Sequence, residues 1–311
     1  MENAPFFDDI SIGLTGGAAH WVTTSDSLRI RVGHWPLAAA KGTVIVFPGR
    51  TEFIEKYTGA AQAFQERGYA SVAIDWRGQG LADRMTANRD IGHVGRFADY
   101  QNDVSAAMQQ VAALNLPRPW FLVAHSMGGC IGLRSLLDGL AVNAVMFSAP
   151  MWGIQMAGAV RPFAWGLSEI SRYLRFDHRL SPGQSTESFL LRDSFETNPL
   201  TNDVTMFEAM RTQLRKRPEL GLGGPSLRWL NMALHEMHQL HHRPAPNMPC
   251  LTYLGGRETI IDPDRIRQRM AGWPGGDLRF IPEGRHEMMM DSPSLRAAVF
   301  DATVAHFDAH R

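Results

Sequence analysis

Trp120-Phe121-Leu122-Val123-Ala124-His125-Ser126-Met127-Gly128-Gly129 is an apolar run that passes through a single serine into a glycine-rich helix start. Trp120 to Ala124 reads as a strand and Met127 to Leu137 as a helix, so Ser126 stands at the turn between them. Small residues two positions either side of it let neighbouring backbone come close, and together these features describe a nucleophile elbow. Ala124 takes the place of the usual leading glycine, and alanine is the next smallest residue.

Working outward, similar short apolar runs occur at Thr43 to Phe47, Ala70 to Ile74, Val142 to Phe147, Cys250 to Leu254 and Leu278 to Ile281. Helical patterns separate the first of them, at Ile54 to Arg67, Phe97 to Leu114 and Met127 to Leu137. Alternation of this kind predicts an α/β fold with a mostly parallel sheet flanked by helices. His20 to Thr23 and Leu28 to Trp35 read as two antiparallel strands at the edge of that sheet. From Met151 to Asn247 no strand pattern appears, which predicts residues 151–247 as a helical cap inserted into a core of 1–150 and 248–311. Met156, Val160, Phe163, Leu167, Ile170 and Leu174 form one helical stripe there, with Pro162 at a start or kink. Asp203 to Arg217 and Ser226 to Leu240 repeat the pattern, and burial of all three stripes over the sheet is the expectation.

A chain of 311 residues leaves about 13,000 Å² exposed once folded, so a sizeable core is available. With 31 basic and 31 acidic side chains the formal charge is zero, which gives no field to gather nucleic-acid phosphates. Apolar runs fall well short of the roughly 18 residues that a bilayer span needs. The first residues, with Glu2, Asp8 and Asp9, lack the basic and apolar regions of a secretory signal, so a cytoplasmic location is expected. Cys130 and Cys250 read as buried free thiols rather than a disulfide or zinc framework. Nothing in the spacing speaks to oligomeric state.

A serine hydroxyl is a weak nucleophile until a base takes its proton and a third group orients the base. His286 follows the last strand, where a loop at the sheet's carboxyl edge can reach the elbow. Two acids follow the strand ending near Leu254. Asp262, before Pro263 and a helical pattern, has a ready role as an N-cap, whereas Glu258 has no competing duty, so Glu258 is preferred and Asp262 is the alternative. For an oxyanion the donors would be the amides of Met127 and of Arg50, in the loop Pro48-Gly49-Arg50-Thr51-Glu52. His235, His238 and His242 share a helical face, but no suitable acid or cysteine completes a metal set, so neither metal nor cofactor is expected. Arg211, Arg215, Lys216 and Arg217 read as a solvated face, and Asp75 to Gly80 as a structural turn.

Taken in order, Pro48 to Glu52 with Lys56-Tyr57, Asp75 to Gly80, Gly92-His93-Val94 with Phe97 and Tyr100, Ala124 to Gly129, Gly255 to Asp262 and His286-Glu287 resemble the α/β-hydrolase superfamily. Within it the chain looks like the bacterial lysophospholipases akin to monoacylglycerol lipases. The resemblance implies a serine esterase acting on a small-molecule lipid with one acyl chain, with Ser126, His286 and Glu258 as its triad and a cap forming the acyl tunnel. For a lipid substrate, peripheral contact with the inner membrane face is a further expectation. Pro48 stands where monoacylglycerol lipases have histidine, which favours the lysophospholipase branch. Glu258 stands where most relatives have aspartate. Other members supply the alternatives: a short-chain esterase, an aminopeptidase like proline iminopeptidase with Glu169 or Glu208 holding the substrate's ammonium, or a non-catalytic ligand-binding protein.

Overall fold

Unbroken runs of valine, isoleucine and phenylalanine need cover on both faces. The computed structural model, which describes residues 1–311, provides it. Nine strands form one sheet: β1 (Glu2–Ala4), β2 (Ala18–Thr23), β3 (Arg29–Trp35), β4 (Thr43–Phe47), β5 (Ala70–Asp75), β6 (Trp120–His125), β7 (Ala144–Ser148), β8 (Cys250–Gly255) and β9 (Gly276–Ile281). Their order is β1-β2-β3-β5-β4-β6-β7-β8-β9. Pairing is parallel from β5 through β9, and antiparallel where β1, β2 and β3 extend the sheet. Every residue of β4, β5, β6, β7 and β8 is buried, whereas the edge strand β9 alternates with solvent. The accessible surface is 12,202 Å².

The helices are α1 (Thr58–Glu66), α2 (Tyr100–Ala113), α3 (Met127–Leu137), α4 (Val160–Tyr173), α5 (Phe189–Arg192), α6 (Val204–Lys216), α7 (Leu227–His241), α8 (Pro263–Ala271) and α9 (Pro293–Asp308). Short 3₁₀ turns at Ile54–Tyr57 and Phe97–Asp99 precede α1 and α2, where the sequence pattern reads as continuous helix. The helix α9 lays Phe307 on Phe121 at 4.5 Å between ring centres and Phe300 against Phe64 at 5.1 Å. No helix is long and apolar enough to cross a membrane.

Between β7 and β8 the chain forms four helices, α4 to α7. Asp203 caps α6 by accepting from the amides of Thr205 and Met206, and Ser226 caps α7 by accepting from Trp229. Met206, Met210 and Leu214 are buried as the stripe predicts, as are Leu227, Leu234 and Met237. The expectation fails on α4. Phe163, Ile170 and Leu174 are 63 %, 55 % and 66 % exposed, and the buried face of the helix is Ala164, Ser168 and Ser171. Those small residues allow α4 to approach α7 closely, where Asn231 Nδ2 donates to Ser168 Oγ at 3.1 Å. The apolar stripe is left facing outward.

What places the site is the end of the sheet. Phe47 of β4 pairs with Ala124 of β6, and His125 with Ser148 of β7, so the segments following these strands emerge together. Sequence order reverses here, since β5 lies on one side of β4 and β6 on the other, which is where open α/β sheets leave a crevice. The helix α3 is pressed onto this edge. A Cβ on Gly128 would lie 2.0 Å from the Phe47 carbonyl oxygen, and one on Gly129 would lie 2.5 Å from Pro150 Cβ. Gly128→Ala is therefore expected to cost about 3 kcal/mol or more in urea unfolding, the upper range of overpacking. Gly132→Ala, whose new methyl would meet Leu122 at 3.2 Å, should cost clearly less.

Candidate active site

Ser126 has φ 48° and ψ −118°, a conformation that L-residues avoid. Hydrogen bonds hold it there: its amide donates to Ser148 O, and its carbonyl accepts from Gly129 and Met151. The turn leaves its side chain on the wall of a cavity of about 490 Å³. This is within the usual range for small-molecule sites, roughly 300 to 1,000 Å³. Much of the wall is apolar, including Met151, Ile154, Phe163, Leu190, Met210 and Ile260.

His286 lines the same cavity after β9. Its Nδ1 lies 2.7 Å from Glu258 Oε2, and the other oxygen of Glu258 accepts from the amides of Ile260 at 2.7 Å and Ile261 at 3.2 Å. Burial opposes the charge on Glu258, but His286 and those two amides outweigh it and hold the carboxyl below its usual range. Asp262 is not at the imidazole. It caps α8 through the Asp264 amide and pairs with Arg161 at 3.0 Å. Ser126 and His286 make no direct hydrogen bond to each other, and catalytic contacts of this kind often tighten only when substrate binds.

The loop after β4 is fixed almost atom by atom. Trp76 Nε1 donates to Pro48 O at 2.9 Å, Gln79 Nε2 donates to Gly49 O at 3.0 Å, and Gln79 Oε1 accepts from Thr51 N at 3.1 Å. Glu52 accepts from the Gly49 amide. Among these bonds the Arg50 amide finds no acceptor, and neither does that of Met127 at the first position of α3. A Cβ on Gly49 would stand 3.1 Å from Ser126 Cβ, so the loop abuts the elbow. Asp75 and Arg77 do structural work nearby. Asp75 accepts from Arg31 and from the amides of Ile54 and Leu81, and Arg77 pairs with Asp26 and Asp103.

Beneath the site lies a charged cluster that sequence reasoning missed. Lys56 Nζ is 2.6 Å from Glu52 Oε1 and 2.6 Å from Glu287 Oε1, and Tyr57 donates to Glu52 Oε2 at 2.5 Å. His125 Nε2 is 3.4 Å from Glu287 and 3.6 Å from Glu52, while its Nδ1 meets Ser148 O at 3.0 Å. Burial alone would neutralise each group, but Lys56 and His125 hold Glu287 well below its ordinary 4.5, and the two carboxylates raise Lys56 and His125. Glu52, His125 and Glu287 also offer three metal-ligand atoms within 4.8 Å of one another. The ammonium of Lys56 already stands between the two carboxylates. The only hint in sequence was the four-residue spacing of Glu52 and Lys56. The histidines of α7 make no comparable set: His235 contacts Glu169 at 3.3 Å, and Glu236 is taken by Arg134.

The family described as serine aminopeptidase, S33, matches residues 38–293. The chain belongs to this family. Its similar relatives include lysophospholipase L2 of Escherichia coli K12, 28 % identical over 302 residues that cover 93 % of this chain and 86 % of the relative. A probable lysophospholipase L2 of Haemophilus influenzae is 27 % identical over 274 residues, covering 88 % and 85 %. Among solved structures, a soluble variant of monoglyceride lipase from Saccharomyces cerevisiae superposes with a TM-score of 0.73 at 18 % identity, covering 98 % of each chain. That likeness shows the fold, which is the α/β-hydrolase fold.

The buried cluster makes the next prediction. Glu287→Gln leaves Lys56 short of one counter-charge and should lower the unfolding free energy by about 3 to 5 kcal/mol at neutral pH. Since the Glu287 carboxyl is depressed in the folded state, its contribution is present above its ordinary 4.5 and is lost as acid protonates it. The difference between wild type and variant, followed by urea unfolding, should therefore shrink on acidification.

Proposed function

We propose that the chain is a serine hydrolase that cleaves the carboxylic ester of a lipid bearing one acyl chain, a lysophospholipid or a monoacylglycerol, through an acyl-enzyme. The observation that carries this reading is the 2.7 Å contact between Glu258 and His286 on the wall of the cavity onto which the strained Ser126 turn opens. Ser126 Oγ attacks the carbonyl carbon as His286 Nε2 takes the hydroxyl proton. Glu258 accepts a hydrogen bond from Nδ1–H, fixing the tautomer and stabilising the imidazolium. The negative oxygen of the tetrahedral intermediate is met by the free amides of Arg50 and Met127, each worth about 3 to 4 kcal/mol of barrier. Collapse expels the alcohol, which leaves with the proton returned by His286. Water then repeats the sequence on the acyl-enzyme.

Residues 151–247 act as the cap, supplying Met156, Phe163, Phe189 and Met210 to the wall against which the acyl chain lies. The relatives named lysophospholipase L2 support that substrate class. An aminopeptidase, as the family description has it, needs a free carboxylate for the substrate's ammonium. Glu169 and Glu208 do not line the cavity, and Glu52 and Glu287, which do, are bound to Lys56.

The outward stripe of α4 continues into the cavity wall at Val160, Phe163 and Leu167, so we assign it to the lipid surface from which a cytoplasmic enzyme takes substrate. The contact is peripheral.

Replacing Ser126 by Ala should lower turnover of a monoacyl ester by about 10⁶-fold, and Glu258→Gln by about 10⁴-fold, whereas Asp262→Asn should change it only a few-fold. A phosphonate ester should label Ser126 in the wild type, and retention of ester turnover by Ser126→Ala would end the proposal. For the lipid surface, Ile170→Ser combined with Leu174→Ser should weaken co-sedimentation with phospholipid vesicles about tenfold, from the loss of two apolar side chains. Hydrolysis of a soluble short ester is the control for folding.

A further inference from the structure

Two lysine or arginine side chains line the cavity, and they are held differently. Lys56 lies between Glu52 and Glu287, its charge compensated. Arg50 has no carboxylate partner. Its Nη1 donates to Gly223 O at 2.8 Å, and its guanidinium carbon lies 5.6 Å from the centre of the Trp229 ring. Burial without a facing acid pulls the guanidinium down to about 10, so it is still a cation at neutral pH. A guanidinium has five N–H donors, and an uncompensated one away from water is costly. Arg50 is one of the residues that line the cavity.

A second group beside it is equally unspent. Ser181 is 6 % exposed, lines the same cavity, and its hydroxyl has no hydrogen-bond partner. Its amide donates to Pro225 O, so Ser181 and Arg50 are both anchored to the Gly223–Pro225 segment. An unpaired cation and an unpaired hydroxyl anchored to one segment, with the two wall carboxylates bound elsewhere, make a place suited to an anion.

We propose that the Arg50 side chain, with the Ser181 hydroxyl, forms a subsite for an anionic phosphodiester head group and so makes the enzyme prefer lysophospholipids to uncharged monoacylglycerols. This rests on the ester-hydrolase reading and gives it a head group. The placement suits the chemistry, because the Arg50 amide faces the reacting carbonyl oxygen while the side chain extends from that point. In a lysophospholipid a short glycerol linker separates ester from phosphate, a distance comparable to the reach of an arginine side chain. The guanidinium fork then meets two phosphate oxygens at once.

The test is the ratio of kcat/KM for myristoyl lysophosphatidylglycerol to that for monomyristoylglycerol, in neutral detergent micelles. Reading the ratio within each variant cancels any loss that arises from disturbing the loop. The wild-type ratio should be about ten or more, the worth of a charge-assisted hydrogen-bond pair. Arg50→Gln should lower it at least tenfold, chiefly through KM, Arg50→Lys should keep part of it, and Ser181→Ala should lower it about threefold. If Arg50→Gln does not fold, the other two variants are read in its place. An unchanged ratio in the variants, or a wild type that favours the monoacylglycerol, overturns the subsite while leaving ester hydrolysis intact. A wild type that cleaves neither lipid overturns the ester reading itself. Relief of inhibition by free myristate in Arg50→Gln, with the ratio unchanged, would mean that the cation holds the product acid and would also overturn the proposal.

Discussion

Close contact between the start of α3 and the carbonyl end of β4 governs the rest of this molecule. A hydrogen at the Gly128 Cα is all that fits against the Phe47 carbonyl, and that closeness lets α3 begin directly after the unfavourable turn at Ser126. The same contact brings the loop after β4 against the elbow, so the hydroxyl and the free Arg50 amide are placed by one packing event. Alanine in the leading position is tolerated for a related reason. The residue facing Ala124 from α3 is Gly132, whose own Cβ would lie 3.3 Å from the alanine methyl. Smallness has been moved from strand to helix rather than lost.

Beneath this surface the fold carries four ionisable groups that water would normally claim. Glu52 belongs to the loop after β4, Lys56 to the turn before α1, His125 to the end of β6 and Glu287 to the loop after β9. Each would be costly alone, and pairing offsets that cost. Because the partners come from four segments distant in sequence, their charge pairing fixes how those segments sit at the site. His125 and Glu287 line the cavity themselves, next in sequence to Ser126 and His286. A shift of either segment would unpair a buried charge.

Much of this was legible in the sequence, for a physical reason. Strands covered on both faces must be continuously apolar, and Thr43–Phe47 emerges with the same bounds in sequence and structure. Glu258 stands out over Asp262 because Asp262 precedes Pro263 and a helix as an N-cap should, and it makes that cap. β1 was invisible because Glu2–Ala4 is three residues with no β-branched side chain, and it pairs only because β2 offers an open edge. The α4 stripe misled because periodicity reveals that a helix has an apolar face without saying what that face meets. The charged cluster was hidden because its members are scattered over some 235 positions, from Glu52 to Glu287, and only folding brings them within bonding reach.

The cavity wall draws on two sources with different freedoms. Its reacting groups and their supports hang from strand ends, where a single added methyl collides with a main-chain oxygen. Its apolar lining comes largely from helices α4 to α7 and the segments around them, held by side chains that can be exchanged for others of similar bulk. Such a molecule can drift in diet while its cutting edge stays unchanged, since tailoring the guest and sharpening the blade fall to separate stretches of chain.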